Sequence, residues 1–269
     1  MNNFLKEFKK HSFLLEYLIV RDFKVKYRRS FLGIAWSVLN PLFMMIVVSA
    51  VFSIVIRVEM KESYPVYVIL GQTMFNFLAE STNIAMQSVL ASASLIKKVY
   101  IPKYIFPLEK VTFSFVNFLV SMVAVLIVCI FEGVGISWHI LLLPLLFVAF
   151  YMFCLGLGLL LSCLTVFFRD TLHIHGIILT AWTYLTPIFY SLESLNINTN
   201  TTVWWQRILL VLFEYNPMYQ YINMFRNLVL FHNAPSVKEI VLCAGYAVLV
   251  FLIGAVSFKK KEDKFILHI

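Results

Sequence analysis

The sequence predicts an all-α integral membrane protein with six transmembrane helices. Of its 269 residues, 61% are hydrophobic, whereas soluble domains are about 45–50% apolar. Six stretches reach the length of about 20 residues that a bilayer core requires. The Lys and Arg residues are also distributed unevenly between the connecting segments. A soluble protein has no interior large enough to bury this apolar excess, so the chain is expected to form one membrane domain, residues 1–269.

The first predicted element is an N-terminal amphipathic helix within a cytoplasmic segment, residues 1–31. Apolar side chains of residues 4–20 share one helical face: Phe4, Phe8, Leu15, Leu18 and Ile19. The lysines of this stretch fall elsewhere on the helix: Lys6, Lys9 and Lys10. Such a helix suits the anionic inner surface of a membrane. The pattern fits both a plain membrane anchor and a functional contact.

The core, residues 32–258, is predicted to hold the six spans. They are Leu32–Ile56, Pro65–Leu90, Val111–Phe131, Ile140–Phe168, Leu172–Leu192 and Glu239–Phe258. The second span is the least apolar and contains Gln72, Asn76, Glu80, Asn83 and Gln87. It is counted because an even number of spans places both basic termini on one side. A charge at mid-bilayer costs about 3 kcal/mol or more, so Glu80 must face protein or water, unless it lies nearer an interface.

Prolines and small residues predict local features of these spans. Pro41 and Pro187 fall inside spans one and five, where proline kinks a helix and neighbouring groups bind the freed carbonyls. Gly158 and Ser162 lie four residues apart in span four, a spacing that favours close contact between helices.

The Lys and Arg distribution predicts that both termini are cytoplasmic. Seventeen of these residues lie in the N-terminal arm, in the loops after spans two and four, and in the tail, residues 259–269. Five lie on the other side: Arg57, Lys61, Arg207, Arg226 and Lys238. An excess of Lys and Arg marks the cytoplasmic loops of membrane proteins.

The loop between spans five and six, residues 193–238, is predicted to form short helices on or dipping into the outer leaflet. It is rich in aromatic residues, which prefer the membrane interface. Asn216 and Pro217 predict a helix start, because Asn caps free N–H groups and Pro fits the first helical turn. The helix is expected over residues 218–230.

The sequence predicts no catalysis and no cofactor on this chain. Its nine glycines form no GxxxxGK[ST] phosphate loop, so ATP hydrolysis by that route is excluded. His173 and His175 are two residues apart and do not share a helical face, which argues against a zinc site. The four cysteines lie in apolar segments without a CxxC pair, which favours a packing role.

Four stretches together resemble the permease subunits of type-2 ABC exporters for O-antigen, wall teichoic acid and related polysaccharides. They are Arg21–Gly33 followed by Trp36 and Asn40-Pro41, then Leu95–Pro102 running on to Pro107-Leu108, then Phe167–Asp170, and last Asn216-Pro217 with Phe225-Arg226. Their order, their spacing and the six-span layout carry the resemblance, which covers nearly the whole chain.

The resemblance implies a homodimer in the bacterial cytoplasmic membrane, docked on two ATP-binding cassette subunits that bind the ATP and Mg. It also implies a channel along the dimer axis for a lipid-linked polysaccharide, with membrane lipids and no nucleic acid as further partners. Two alternatives remain open. One is a type-2 ABC permease for a small hydrophobic drug or lipid, and the other is a membrane-embedded enzyme of envelope synthesis, for which no polar catalytic cluster is found.

Three sets of site residues follow. Contact with the ATPase subunit is expected, from the resemblance and the cytoplasmic side, at Arg28, Arg29, Leu95, Ile96, Lys97, Lys98, Tyr100, Pro102, Arg169 and Asp170. A channel lining that stacks on sugar rings is expected at Trp36, Phe43, Phe75, Glu80, Trp182, Tyr184 and Phe189. An outer gate is expected at Trp204, Trp205, Tyr215, Asn216, Pro217 and Tyr219. Ordinary core packing or lipid contact is the alternative role for each aromatic residue.

Overall fold

The computed structural model describes residues 2–28, 30–53, 63–99, 101–190, 208 and 211–269. Its regular elements are helical, and the described ranges contain no strand. Several residues of the sequence predictions lie outside these ranges: Arg29, Arg57, Lys61, Tyr100, Trp204, Trp205 and Arg207.

Nine α-helices are found in the described part of the chain. They are α1 (Asn2–Lys26), α2 (Trp36–Val51), α3 (Tyr64–Ala91), α4 (Ala93–Ile96), α5 (Ile105–Phe131), α6 (Leu143–Phe167), α7 (Thr171–Tyr184), α8 (Pro217–Val229) and α9 (Val237–Lys261). Short 3₁₀ turns lead into α2 and α6 and follow α9. Each predicted span overlaps a helix, and α8 begins within one residue of the helix predicted after Asn216.

Four of the described helical segments are long and apolar enough to cross a membrane: Gly33–Val51, Ile105–Phe131, Trp138–Phe167 and Val237–Leu267. The helix α3 has 28 residues, enough for a crossing, but it carries many polar side chains. The helix α7 has 14 residues, so it is about 21 Å long, shorter than a hydrocarbon core of about 30 Å. The count of six spans therefore stays a prediction.

The helix α3 is the centre of the fold. It packs against α2, α5, α6 and α8, and Leu70, Met74 and Leu78 are fully buried. Ser63 caps its first turn, where the Ser63 hydroxyl accepts a hydrogen bond from the Val66 N–H at 3.5 Å. Neighbouring helices cover most of α3, and its polar residues Asn76, Asn83 and Gln87 lie on the face that they leave exposed.

The closest approach between two helices joins α6 and α9 through glycine. A Cβ placed on Gly254 would lie 2.1 Å from the Gly156 carbonyl oxygen, and one on Gly156 would lie 2.6 Å from the Phe251 Cα. Neither position therefore tolerates a side chain. In the predicted Gly158–Ser162 pair, Gly158 lies two residues after Gly156 and faces other helices, because a Cβ on it would meet side chains of α3 and α5 at 3.0 Å.

The helix α1 covers the predicted amphipathic segment. Leu18 is 4% exposed, whereas Phe13 is 78% exposed. The end of α1 rests on α5, where the Phe23 and Phe113 rings lie 4.7 Å apart and Asp22 pairs with Lys110. Burial raises the pKa of Asp22, but hydrogen bonds and charges from Lys110 and Arg21 outweigh that effect and bring the pKa below its usual value.

Candidate functional site

A polar cavity of about 630 Å³ lies between the end of α1 and the helices α2, α3 and α5. Its lining combines amides, hydroxyls and one carboxylate with aromatic rings: Lys26, Tyr27, Trp36, Ser37, Asn40, Pro41, Met44, Gln72, Thr73, Asn76, Phe77, Glu80, Asn117, Phe118 and Ser121. Two residues of the predicted channel lining, Trp36 and Glu80, are among them. This combination of flat polar groups and aromatic rings suits a polyhydroxylated ligand.

The negative charge of Glu80 is balanced by Lys26 within a hydrogen-bonded network at this cavity. The Lys26 Nζ donates to Glu80 Oε1 at 2.7 Å, and the Asn117 Nδ2 donates to Glu80 Oε2 at 3.1 Å. The Tyr27 and Ser37 hydroxyls in turn donate to Asn117 Oδ1 at 2.9 and 2.6 Å. Glu80 thus faces protein and a polar cavity, one of the settings that the sequence required of it. The ion pair is partly accessible, with Lys26 35% and Glu80 32% exposed.

The cavity continues along α3 as a polar stripe, which consists of Asn76, Glu80, Asn83 and Gln87. Spacings of four, three and four residues put these side chains on one helical face, and all four are partly or fully exposed although most of α3 is buried. The stripe is about 16 Å long. His175 of α7 contacts it, with its Nδ1 3.1 Å from Asn83 Oδ1.

The aromatic residues predicted to line a channel in the first two spans lie in different settings. Trp36 is 46% exposed and Phe43 is 53% exposed on α2. Phe75 is 7% exposed and belongs to the buried core of α3. A lining role for Phe43 and Phe75 stays a prediction.

The aromatic residues predicted for span five surround the end of α7. The helix ends at Tyr184, three residues before Pro187, since proline disfavours helix in the residue before it. Tyr184 is exposed, and its carbonyl accepts a hydrogen bond from the Tyr190 hydroxyl at 2.7 Å. Trp182 and Phe189 are partly buried against the core.

Asn216 joins the broken end of α7 to the start of α8. Its Oδ1 accepts from the backbone N–H of Met218 at 3.0 Å, which caps α8, and from the Trp182 indole N–H at 2.9 Å. Its Nδ2 donates to the Leu185 carbonyl at 3.0 Å and to the Thr186 hydroxyl at 3.1 Å. The residue predicted to start a helix therefore also holds the preceding segment in place.

Hydrogen bonds from Arg226 hold the segment after α7 against α3. Its guanidinium donates to the carbonyls of Tyr67 at 3.3 and 3.2 Å, Pro187 at 2.9 Å and Ile188 at 2.9 Å. The guanidinium carbon lies 3.3 Å from the Tyr67 ring centroid. A Cβ on Gly71 would be 2.7 Å from Arg226, so the glycine makes room for the guanidinium. Non-helical backbone within a membrane protein needs such internal partners.

The other described residues of the predicted outer gate adjoin this junction. Pro217 is the first residue of α8. Tyr219 is partly buried on the same helix, and Tyr215 is 55% exposed just before it. The helix α8 itself is buried between α3, α6 and α9, with Tyr221 fully buried. It therefore lies inside the protein rather than on its surface.

At the predicted cytoplasmic end, the structure joins the segment after α3 to the C-terminal segment, residues 262–269. The Lys97 Nζ donates to the Ile269 carbonyl at 2.7 Å, and the Lys103 Nζ donates to the Glu262 carbonyl at 2.5 Å. Phe265 is fully buried, with its ring 5.8 Å from that of Phe167 at the end of α6. A lysine-rich loop, the end of α6 and the tail thus form one cluster.

The remaining residues predicted to contact the ATPase lie around these ends. Leu95 and Ile96 are packed in or against the core, and Pro102 lies in the turn before α5. The charged members are exposed: Arg28, Lys98, Arg169 and Asp170. No contact within the described residues assigns these side chains a role, so their contact with an ATPase subunit stays a prediction.

Four features of the site were not predicted as such: the pairing of Lys26 with Glu80, the bridging role of Asn117, the burial of Arg226 and the docking of the tail. Arg226 had been counted as an outer-loop charge and as part of the family resemblance, without a structural role. A signal was present for Lys26 and Asn117, since a carboxylate in an apolar span requires a nearby cation or donor. None was present for the tail.

Comparison with known proteins agrees with this arrangement. A family described as "ABC-2 type transporter" matches residues 14–230. The O-antigen export system permease protein RfbA of Myxococcus xanthus is 26% identical over 265 residues, covering 98% of each chain. A protein of the same name from Klebsiella pneumoniae is 26% identical over 258 residues, covering 94% of this chain and 95% of its own. With its apolar helices and a family match over most of its length, the chain is a multi-pass membrane protein that belongs to the ABC-2 type transporter family.

Proposed function

We propose that this chain is the permease subunit of an ATP-driven exporter that moves a lipid-linked cell-surface polysaccharide across the bacterial cytoplasmic membrane. The observation that carries the proposal is the polar cavity and its continuation along α3. A lipid-linked polymer must cross a low-dielectric barrier without exposing its hydroxyls to hydrocarbon. Amide and carboxylate side chains along one helical face supply hydrogen bonds for those hydroxyls, and Trp36 supplies a ring face for stacking.

The names of the relatives support the same substrate class, because both are O-antigen export permeases. In the proposed assembly, two copies of the chain form the channel and two separate ATP-binding subunits bind ATP and Mg. Each copy is one transmembrane domain of six spans, with residues 1–31 and 259–269 in the cytoplasm. The cluster of the lysine-rich loop and the tail is the proposed contact with the ATPase.

Deletion of the gene in its source bacterium tests the proposal. We expect a lipid-linked polysaccharide to accumulate on the cytoplasmic side of the membrane, measured by extraction and mass spectrometry. The wild-type gene should restore export, whereas a variant with Asn76→Ala and Asn83→Ala should insert normally and restore less than a tenth of it. An exposed residue outside the path provides the control, Asn233→Ala.

The same experiment separates the alternative substrate. If no glycolipid accumulates and the deletion strain instead retains a small hydrophobic compound, the chain is a permease for a drug or lipid. Export by the doubly substituted variant at the wild-type rate would show that the polymer does not follow the stripe on α3.

A further inference from the structure

The charges of the polar cavity indicate which polymers fit it. Its lining includes one cation and one carboxylate, Lys26 and Glu80, and they are paired at 2.7 Å. Asn40, Asn76 and Asn117 add polarity without charge. Among the described lining residues, no other side chain carries a charge at neutral pH. The cavity is therefore polar but electrically balanced.

The Glu80 carboxylate gives the cavity hydrogen-bond acceptors beside its amide and hydroxyl groups. Each Glu80 oxygen accepts one hydrogen bond, and a carboxylate offers about four acceptor sites in all. A sugar hydroxyl can donate to these oxygens. A phosphate or carboxylate on the polymer has no proton to donate at neutral pH. It is a hydrogen-bond acceptor, as the Glu80 oxygens are, so it cannot form a hydrogen bond with them.

We infer that the exported polymer is uncharged along its repeating sugars, because the balanced Lys26–Glu80 pair leaves the cavity no free positive charge for an anionic repeat. An anionic group within the membrane is stabilised most by a cation that compensates for its lost water. Lys26, the cation of this cavity, is already committed to Glu80. The inference rests on the proposed function and concerns the repeating units, not the phosphate that joins a polymer to its lipid.

A charge series at one ion pair tests the inference. Lys26→Gln leaves the cavity with one net negative charge, and Glu80→Gln leaves it with one net positive charge. The double variant K26Q/E80Q restores a net charge of zero without the pair. Glu132→Gln makes the same chemical change at the far end of α5, where Glu132 accepts a hydrogen bond from Ser63, and serves as the control.

The measurement uses inverted membrane vesicles that contain the transporter with its ATP-binding subunit. One probe is a lipid-linked neutral hexose oligosaccharide, and the other is the same compound with C6 oxidised to a carboxylate in each repeat. The ratio of the two initial uptake rates is compared between variants. Insertion and assembly with the ATP-binding subunit are checked for each variant.

We expect wild-type transporter to move the neutral probe at least tenfold faster. The ratio should rise about tenfold in K26Q and fall about tenfold in E80Q, since one unit of charge within a few ångströms acts on an anion at low dielectric. The double variant and E132Q should keep the wild-type ratio.

Equal wild-type rates for the two probes would overturn the inference and leave the proposed function intact. The same conclusion would follow if K26Q and E80Q changed the ratio in the same direction or not at all. If a single variant fails to assemble, the wild-type ratio still decides. Uptake of neither probe would instead refute the proposed function.

Discussion

At the scale of single residues, Arg226 is the clearest case of a side chain that determines local structure. It is 1% exposed and donates to three backbone carbonyls, and no carboxylate is among these partners. Its planar guanidinium reaches α3 and the segment after α7 at once and lies over the Tyr67 ring. Lysine has a single compact charge and cannot reproduce that geometry.

Arg226→Lys is expected to destabilise the protein. At least one of the Pro187 and Ile188 carbonyls would lose its donor, and an unsatisfied buried polar group costs about 1–3 kcal/mol. Thermal unfolding in detergent, followed by exposure of native cysteines, would measure the loss. The exposed Arg169→Lys is the control and should melt with the wild type. An unchanged melting temperature for Arg226→Lys would contradict the structural role of its hydrogen bonds.

Asn216 has two functions that substitution can separate. Asn216→Asp keeps the oxygen that caps α8, but it loses the amide that donates to Leu185 and Thr186. Asn216→Ala loses both. We expect a loss of about 1–3 kcal/mol for the aspartate variant and about 1 kcal/mol more for alanine, measured by the same unfolding assay. If the two variants lose the same stability, the cap contributes nothing.

At the scale of elements, the contact between α6 and α9 depends on the absence of side chains. Gly254→Ala would place a methyl group 2.1 Å from the Gly156 carbonyl oxygen and force the helices apart. We expect a loss of at least about 2 kcal/mol, comparable to overpacking in a core. Gly245→Ala on the same helix meets nothing within 4 Å and should be neutral or stabilise by up to about 1 kcal/mol. A blue-native gel and a melting curve would compare the two variants. If the two variants had equal stability, the contact between Gly254 and Gly156 would not determine how α6 packs against α9.

The positions of the helices could be predicted from sequence because apolar runs and caps are local signals. The predicted spans overlap α2, α3, α5, α6, α7 and α9, and the predicted start of α8 at Asn216 is confirmed. The early end of α7 was not predicted, because an apolar sequence continues beyond Tyr184 and Pro187 suggested only a kink. The burial of α8 was also missed, since its amphipathic sequence suits an interface as well as a protein interior.

The candidate site was harder to predict from the sequence than the helices were, because it depends on how each helix is rotated about its axis. Glu80 stood out as a charge in an apolar span, and Trp36 was selected with it. The same reasoning selected Phe75, which the structure places in the core. The exposed face of α3 carried a periodic signal, because Asn76, Glu80, Asn83 and Gln87 recur at helical spacing, but the prediction did not use it. Which helices cover the rest of α3 depends on long-range packing, which the sequence pattern does not show.

At the scale of the whole molecule, the orientation in the membrane is the first quantity to measure. We expect both termini in the cytoplasm, because seventeen of the Lys and Arg residues fall on that side. Single cysteines near Lys10 and Lys261, in a chain without native cysteines, should react with an impermeant thiol reagent only after lysis. A cysteine at Gly133, between α5 and α6, should react in intact cells. Labelling at either terminus without lysis would reverse the orientation.

The link between the lysine-rich loop and the tail predicts how the chain would respond to the proposed ATPase subunit. Lys97→Glu would lose the hydrogen bond to the Ile269 carbonyl, whereas Lys98→Glu changes an exposed side chain. If the tail positions the loop, Lys97→Glu should reduce export at least fivefold, and Lys97→Gln should do the same. An effect confined to Lys98→Glu would assign the loop's role to direct charge contact. Export and ATP turnover in the assembled transporter are the measurements.

The glycine contact between α6 and α9 has a mechanical consequence. With backbones this close, the two helices can neither slide nor rotate past each other without separating, so they move as one stiff body. One end of this pair bears Phe167 and the tail, and another part contacts α8 through the hydrogen bond from the Tyr221 hydroxyl to the Cys243 carbonyl at 2.7 Å. The helix α9 has 25 residues and is therefore about 37 Å long. We expect force applied at the end that bears the tail to reach α8 as leverage, without a separate relay of side chains.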